Sequence, residues 1–164
     1  MKRIMLVMLL MSGSVAWAGN KDLLASLPPD PGEAGKATLE GIDSDNDGVR
    51  DDVQRWIAIS YPNSQKTREA LRQQAIALQK FLVDSADPNL SFGNAISNND
   101  AVTCLAYIRD DFYNISDELL AVFLNTAQRS RAYLQADAHL SGRGFRSQSD
   151  RKKSCSFDPD VLSN

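Results

Sequence analysis

The stretch that most constrains this chain is an acidic segment, which reads Asp43-Ser44-Asp45-Asn46-Asp47-Gly48-Val49-Arg50-Asp51-Asp52. Five carboxylates fall within these ten residues, and three of them stand at alternate positions. Such a segment repels itself when it is compact, unless a cation neutralises the negative charge. The Asn-Asp-Gly sequence favours a tight turn, because glycine adopts positive φ angles without steric cost. We therefore expect a compact loop closed by a metal ion. The alternative is a metal-free acidic turn that caps the following helix.

The spacing of these side chains suits calcium, which takes about six to eight oxygen ligands at roughly 2.3–2.6 Å. Alternate residues of a tightly wound loop can turn their side chains towards one centre. Val49 would offer its carbonyl oxygen while its side chain faces the core. Magnesium or manganese is the alternative, but the number of protein oxygens suits calcium better. The predicted metal ligands are Asp43, Asp45, Asp47, Val49, Asp51 and Asp52.

Residues 42–56 resemble the EF-hand calcium loop, and more closely the Asp-rich loops of thrombospondin type 3 repeats and dockerins. The resemblance implies a calcium site in which Asp43 is the first ligand position. At the twelfth position the EF-hand has a bidentate Glu and the related loops often have Asp, whereas this chain has Gln54. Asp52 or water would then complete the coordination, which implies an affinity of about 10⁻⁴–10⁻³ M. A single loop copy and a proline-rich entry imply a structural clip and not a calcium switch.

The N-terminus has the features of a signal peptide that ends at residue 18. A basic start, Met1-Lys2-Arg3, precedes an apolar run at 4–11, and Ala16-Trp17-Ala18 carries the small residues that a signal peptidase accepts. The apolar run is shorter than the roughly 20 residues needed to cross a bilayer. We therefore expect a periplasmic or secreted protein without a transmembrane segment after cleavage.

The charge of the chain argues against nucleic acid as a partner. Loss of Lys2 and Arg3 with the signal peptide lowers the basic count from 18 to 16 against 21 acidic side chains, a net charge of −5. A basic run in the last quarter is expected to be solvated surface or a local complement to the acidic loop, with docking of an acidic partner as the alternative. Its members are Arg129, Arg131, Arg143, Arg146, Arg151, Lys152 and Lys153.

Cys104 and Cys155 are predicted to form a disulfide, because an exported protein meets an oxidising compartment. Closing a loop of this length stabilises a fold by about 4 kcal/mol in the chain-entropy model. A catalytic thiol and a zinc site are the alternatives. Neither cysteine has a neighbouring histidine in the sequence to support them.

Helical periodicity follows the acidic loop, and no run alternates at a period of two. The sequence predicts an all-α bundle of about four helices at 51–60, 67–84, from about 100 to 112, and 116–140, with a loop at 84–93. Residues 19–40, which contain several prolines, are expected to form an extended N-terminal strap. Residues 41–140 form the calcium loop and helical domain, and 141–164 an irregular segment that the disulfide ties back.

These features predict an exported, non-catalytic binding or envelope accessory module with a structural calcium site and an unknown protein or envelope partner. No nucleophile and base occur in a recognisable arrangement. The alternative is an exported hydrolase whose carboxylates come from separate helices, with Asp51, Asp52 and Glu118 as candidates. A deep pocket lined by such carboxylates would favour the hydrolase, and an apolar groove the binding module.

Overall fold

The computed structural model describes residues 22–146 and 148–164 of the chain. Within these ranges the protein is all-α, which confirms the predicted fold class. Five α-helices follow one another between residues 51 and 138: α1 (Asp51–Ser60), α2 (Gln65–Val83), α3 (Pro88–Ile108), α4 (Phe112–Phe123) and α5 (Ala127–Ala138). The predicted signal peptide, residues 1–18, lies outside the described residues. Among the helices that are described, none is long and apolar enough to span a membrane.

The first two helices form where the apolar spacing predicts them. α1 ends one residue before Tyr61, because Pro62 disfavours helical angles in the residue that precedes it. Ser64 then starts α2 as its N-cap, and its hydroxyl oxygen accepts a hydrogen bond from the Thr67 amide at 3.3 Å. In α2 the apolar side chains that recur every three or four residues are buried, namely Leu71, Ala75, Leu78 and Leu82.

α3 begins at Pro88, so it includes the second half of the segment at 84–93 in which the sequence predicts a loop. The Asp87 carboxylate is its N-cap and accepts hydrogen bonds from the amides of Asn89 at 2.8 Å and Leu90 at 3.1 Å. Pro88 fits the first turn, since its fixed φ angle suits a helix and its missing N–H has no partner to lose there. The Asp-Pro-Asn sequence therefore begins a helix, and the expected helix start near residue 100 is wrong.

The predicted helix at 116–140 is two helices in the structure. Thr126 is the N-cap of α5 and accepts a hydrogen bond from the amide three residues later, at 3.2 Å. α4 begins at Phe112, so Ser116 lies inside that helix and does not cap it. The bundle therefore has five α-helices between 51 and 138 instead of about four. An unbroken helix at 116–140 would place Leu134 on the same apolar face as Leu119 and Phe123, but in the structure Leu134 is 65% exposed.

α2 lies at the centre of the bundle and contacts each of the other four α-helices. Burial of a large aliphatic or aromatic side chain stabilises a fold by about 1.5–3 kcal/mol. Val49 belongs to this core, so the acidic loop is anchored in it. Other buried members of the core are Val53, Leu71, Leu78, Leu82, Leu105, Leu119 and Phe123.

A disulfide joins Cys104 in α3 to Cys155, with 4.8 Å between the two Cα atoms. The C-terminal segment around Cys155 is irregular, as predicted, apart from short 3₁₀ helices at Arg151–Ser154 and Pro159–Val161. The side chain of Gln73 in α2 bonds the backbone on both sides of Cys155, at 2.7 and 2.9 Å. The segment is thus fastened to both α2 and α3.

Replacing both Cys104 and Cys155 with alanine should lower the free energy of unfolding by about 3–4 kcal/mol, because the unfolded chain regains loop entropy. Urea denaturation of the two proteins without reductant measures this difference. Reductant should bring the wild-type protein to the stability of the variant and leave the variant unchanged. Equal stability of the two oxidised proteins would contradict the prediction.

Candidate metal centre

The acidic loop is closed by its own hydrogen bonds. Asp43 accepts at both carboxylate oxygens, from the Asp47 amide at 3.2 Å and the Gly48 amide at 2.9 Å. The Asp51 amide donates to the Ile42 carbonyl at 2.8 Å, which closes the base of the loop. Gly48 has a φ angle of 86°, a region that residues with a side chain rarely adopt. The turn predicted at this glycine is therefore present.

Three carboxylates of the loop can hold one metal ion. Asp43, Asp45 and Asp51 each offer an oxygen, and these oxygens all lie within 4.8 Å of one another. Two oxygens on opposite sides of a calcium ion lie roughly 4.6–5.2 Å apart, so an ion between them is at bonding distance from each. Asp51 is 2% exposed, and the Ser44 amide donates to its carboxylate at 2.9 Å. The donor set consists of hard oxygen ligands, which suits a hard divalent cation.

The electrostatics of this triad favour a positive ligand. Burial raises the pKa of the Asp43 carboxyl, and its contact with Asp45 and the charge of Asp47 raise it further, against the two backbone amides. The Asp45 carboxyl has a lowered pKa, chiefly because the Gln54 side chain donates a hydrogen bond to it. The negative charge of Asp43 is therefore destabilised by its acidic neighbours in the loop. A cation bound among these oxygens would offset the repulsion between the carboxylates.

Asp47, a predicted ligand, is outside this triad because other groups hold its carboxylate. Arg72 of α2 donates to it at 2.6 Å, and the Val49 amide at 2.8 Å. The Gln54 amide nitrogen donates to both Asp45 and Asp47, at 3.1 and 3.0 Å. The other end of that amide, Gln54 Oε1, is shielded from solvent and has no hydrogen-bond partner among the described residues.

The remaining two predicted ligands are Val49, two residues before α1, and Asp52, in its first turn. Val49 has a fully buried side chain, in keeping with the core-facing orientation expected for it. Asp52 turns away from the triad and accepts two hydrogen bonds from the Arg50 guanidinium, both at 2.9 Å, and one from Asn125. The structure thus brings Asp43, Asp45 and Asp51 together and engages Asp52 in a salt bridge.

Arg50, which belongs to the acidic loop, is only 1% exposed. Besides Asp52, its guanidinium donates to the carbonyls of Val122 and Phe123 at the end of α4, both at 3.3 Å. It also stands 4.9 Å from the centre of the Phe123 ring. A cation is favourable against the last carbonyls of a helix, so Arg50 joins the loop to α4.

Arg129 of α5 is fully buried, so its assignment to solvated basic surface is wrong. Its guanidinium donates to the carbonyls of Gly35, Thr38 and Leu39 at 2.7, 3.1 and 3.1 Å. It also donates to Asn125 at 2.6 Å. We call Arg50 and Arg129 the arginine pair. Near Arg129 the sequence offers a helix N-cap, Thr126, but no sign that the arginine is buried. Its partners in the strap are about 90 residues away in the sequence, so no local pattern connects them.

Gly41 lies against both members of the arginine pair. A Cβ atom at this position would stand 2.6 Å from Arg50 Cδ and 2.8 Å from Arg129 Nη2, and the φ angle is +75°. Both the close approach and the backbone conformation therefore require glycine. The strap itself is less extended than expected, because a 3₁₀ helix forms at Gly32–Lys36.

Comparison with known proteins adds no assignment. Searches with protein-family models, among curated proteins and among solved structures each found no match.

Gly41→Ala should lower the free energy of unfolding by about 2–4 kcal/mol, through an unfavourable φ angle and overpacking against the arginine pair. Gly144→Ala is the matched control, because nothing lies within 4 Å of the added methyl group and its φ angle is not positive. Thermal and urea unfolding of the two variants measure the difference. A Gly41→Ala protein as stable as the control would refute the role of this contact.

Asp52→Asn should destabilise the protein by about 2 kcal/mol at pH 7, since it removes a charged partner of buried Arg50. Burial raises the pKa of the Asp52 carboxyl, but the hydrogen bonds and charge of Arg50 outweigh burial and hold that pKa below its usual range. The stabilisation is therefore complete above the ordinary carboxyl pKa of about 3.9 and is lost as the pH falls through the lower folded-state value.

Urea unfolding of wild type and Asp52→Asn from about pH 7 down to pH 3 checks this sign, and the gap should narrow on acidification. Asp111→Asn is the control, because Asp111 pairs with Arg109 at 2.8 Å on the surface. Exposed pairs contribute less than about 1 kcal/mol. A gap that widens towards acid pH would count against the assignment.

Proposed function

We propose that the protein is an exported, non-catalytic calcium-binding protein, a binding or envelope accessory module whose acidic loop is a structural calcium site. The observation that carries the proposal is the convergence of Asp43, Asp45 and Asp51 on one possible ion position. The disulfide between Cys104 and Cys155 supports an oxidising compartment such as the periplasm or the cell exterior.

Calcium fits the donors better than smaller divalent cations do. Besides the three carboxylates, the Val49 carbonyl is an oxygen of the expected seventh loop position. Gln54 Oε1 has no hydrogen-bond partner among the described residues, and a half-turn of its amide would exchange this oxygen with the nitrogen that now faces Asp45. Magnesium demands near-ideal octahedral geometry and keeps most of its water, so a loop of several protein oxygens favours calcium.

A structural role follows from what the loop is attached to. Three consecutive residues of the loop are buried and have different partners. Val49 packs in the core, Arg50 belongs to the arginine pair, and Asp51 belongs to the metal triad. A loop that opened would withdraw all three at once. Calcium would therefore stabilise the whole fold, whereas a switch would need two stable arrangements of the loop.

The three candidate catalytic carboxylates of the hydrolase alternative lie apart from one another, which supports a non-catalytic protein. Asp51 belongs to the metal triad and Asp52 is held by Arg50. Glu118 is an exposed residue of α4. An acid and base pair needs two carboxyl groups that face one substrate, and these three residues do not share a pocket with one another among those described.

Members of the basic run in the last quarter of the chain make local contacts. Lys152 binds the carboxylates of Asp158 and Asp160 at 2.8 and 2.7 Å, and these hydrogen bonds raise its pKa. Arg151 donates to the Ala106 carbonyl of α3 at 3.3 Å. These contacts support a local role of the basic run over the docking of an acidic partner. A pull-down from an envelope fraction with and without calcium would identify the partner.

Calcium at about 10 mM should raise the free energy of unfolding by about 1.4–2.7 kcal/mol for a dissociation constant of about 10⁻⁴–10⁻³ M. Thermal melts of the mature protein in EDTA, calcium and magnesium measure the shift. Asp45→Ala should abolish the response to calcium, while Asp117→Ala, which removes an exposed carboxylate of α4, should retain it. Equal melting temperatures of wild type in EDTA and in calcium would overturn the proposal.

A further inference from the structure

A second site stands apart from the acidic loop in sequence and in composition. A pocket of about 210 Å³ opens between α2, α3 and α5 and the segment that follows α5. Phe81, Tyr133 and Phe145 form much of its apolar wall. The volume is below the roughly 300–1,000 Å³ of sites for drug-sized ligands, so it suits a molecule with a single ring or a short chain.

Part of the pocket wall belongs to a buried core cluster. Phe81 is 4% exposed, Ala95 is 8% exposed, and both line the pocket from neighbouring helices. The rings of Phe81 and Tyr133 meet edge to face, with 5.4 Å between their centres. Side chains packed in this way have few other rotamers to adopt, so this part of the pocket wall is preformed.

Two amide groups in the wall lack hydrogen-bond partners. Asn98 Oδ1 and Asn99 Nδ2 are both shielded from solvent and unpaired within the described part of the chain. Both residues line the pocket. A buried polar atom without a partner costs about 1–3 kcal/mol, and these two are one acceptor and one donor. Neither atom is in contact with solvent, so a ligand would bond them after the two amide groups turn towards the cavity, and a ligand with both a donor and an acceptor would then satisfy both.

The lining also determines the charge of the ligand. The residues that form the wall are apolar, aromatic or amide-bearing, and the described lining contains neither an acidic nor a basic side chain. A charged ligand would lose its hydration and find no counter-ion here, which is costly. The favoured ligand is uncharged.

We propose that this pocket binds a small neutral molecule with an apolar ring and an amide-like head, which pairs with Asn98 and Asn99. The site is independent of the acidic loop and of the proposed calcium role. It would give the protein a small-molecule ligand in addition to any envelope partner.

Benzamide is a suitable probe, because it consists of a single aromatic ring and a carboxamide that can both donate and accept a hydrogen bond. Titration of the ¹⁵N-labelled protein, followed by amide chemical shifts, should saturate with a Kd of about 0.1–1 mM for a ligand of about nine non-hydrogen atoms. Benzoate, the anionic isostere, should bind at least about tenfold more weakly. Absence of saturation by benzamide, or equal binding of benzoate, would overturn the proposal.

Asn98→Leu keeps the side-chain size and removes the amide, so it should weaken benzamide binding about tenfold and leave toluene binding intact. Asn89→Leu makes the same change on an exposed residue of α3 and should bind benzamide like wild type. Unchanged benzamide binding by Asn98→Leu would refute the role of the amide.

A measurement on the wild-type protein covers the case in which Asn98→Leu does not fold. Intermolecular nuclear Overhauser effects from the benzamide ring should reach the side chains of Phe81, Ala95 and Tyr133. Contacts to other residues in place of these would show that the ligand binds elsewhere and would overturn the proposal.

Discussion

Two buried guanidinium groups hold the parts of this protein together. Taking a charge out of water costs several kcal/mol, and burial and the neighbouring charge of Arg50 lower the pKa of Arg129. The arrangement is stable because each guanidinium group makes four hydrogen bonds. Arg50 binds Asp52 and the end of α4, and Arg129 binds three carbonyls of the strap and Asn125. The bonds of Arg129 hold residues 35–39 of the strap on the bundle.

The metal triad and the arginine pair depend on the same short segment. Val49 packs in the core, Arg50 reaches α4, and Asp51 faces Asp43 and Asp45. Gly41, which permits the close approach of the two arginines, stands two residues before the first carboxylate. A change in the conformation of the loop would therefore alter its contacts with the strap and with α4. This continuity is the physical basis for expecting calcium to act on stability.

Local sequence rules predicted the first half of the bundle better than the second. Pro62 and Ser64 separate α1 from α2 unambiguously, and the spacing of the leucines in α2 predicts its buried face. Asp87-Pro88 suits a loop and a helix start equally well in local terms, and its N-cap role depends on the α3 that follows. The break at Thr126 was hidden because the apolar spacing continues across it from α4 into α5.

The sequence by itself determined the features that depend on neighbouring residues: the all-α class, the tight turn at Gly48, the alternate carboxylates and the pairing of the only two cysteines. Tertiary structure decided the partners. Asp47 is held by Arg72, which lies 25 residues away, and Arg50 reaches Phe123, 73 residues away. Spacing along a loop says which side chains can converge. Only packing decides which of these side chains bind to other helices instead, because such contacts join residues that no local pattern connects.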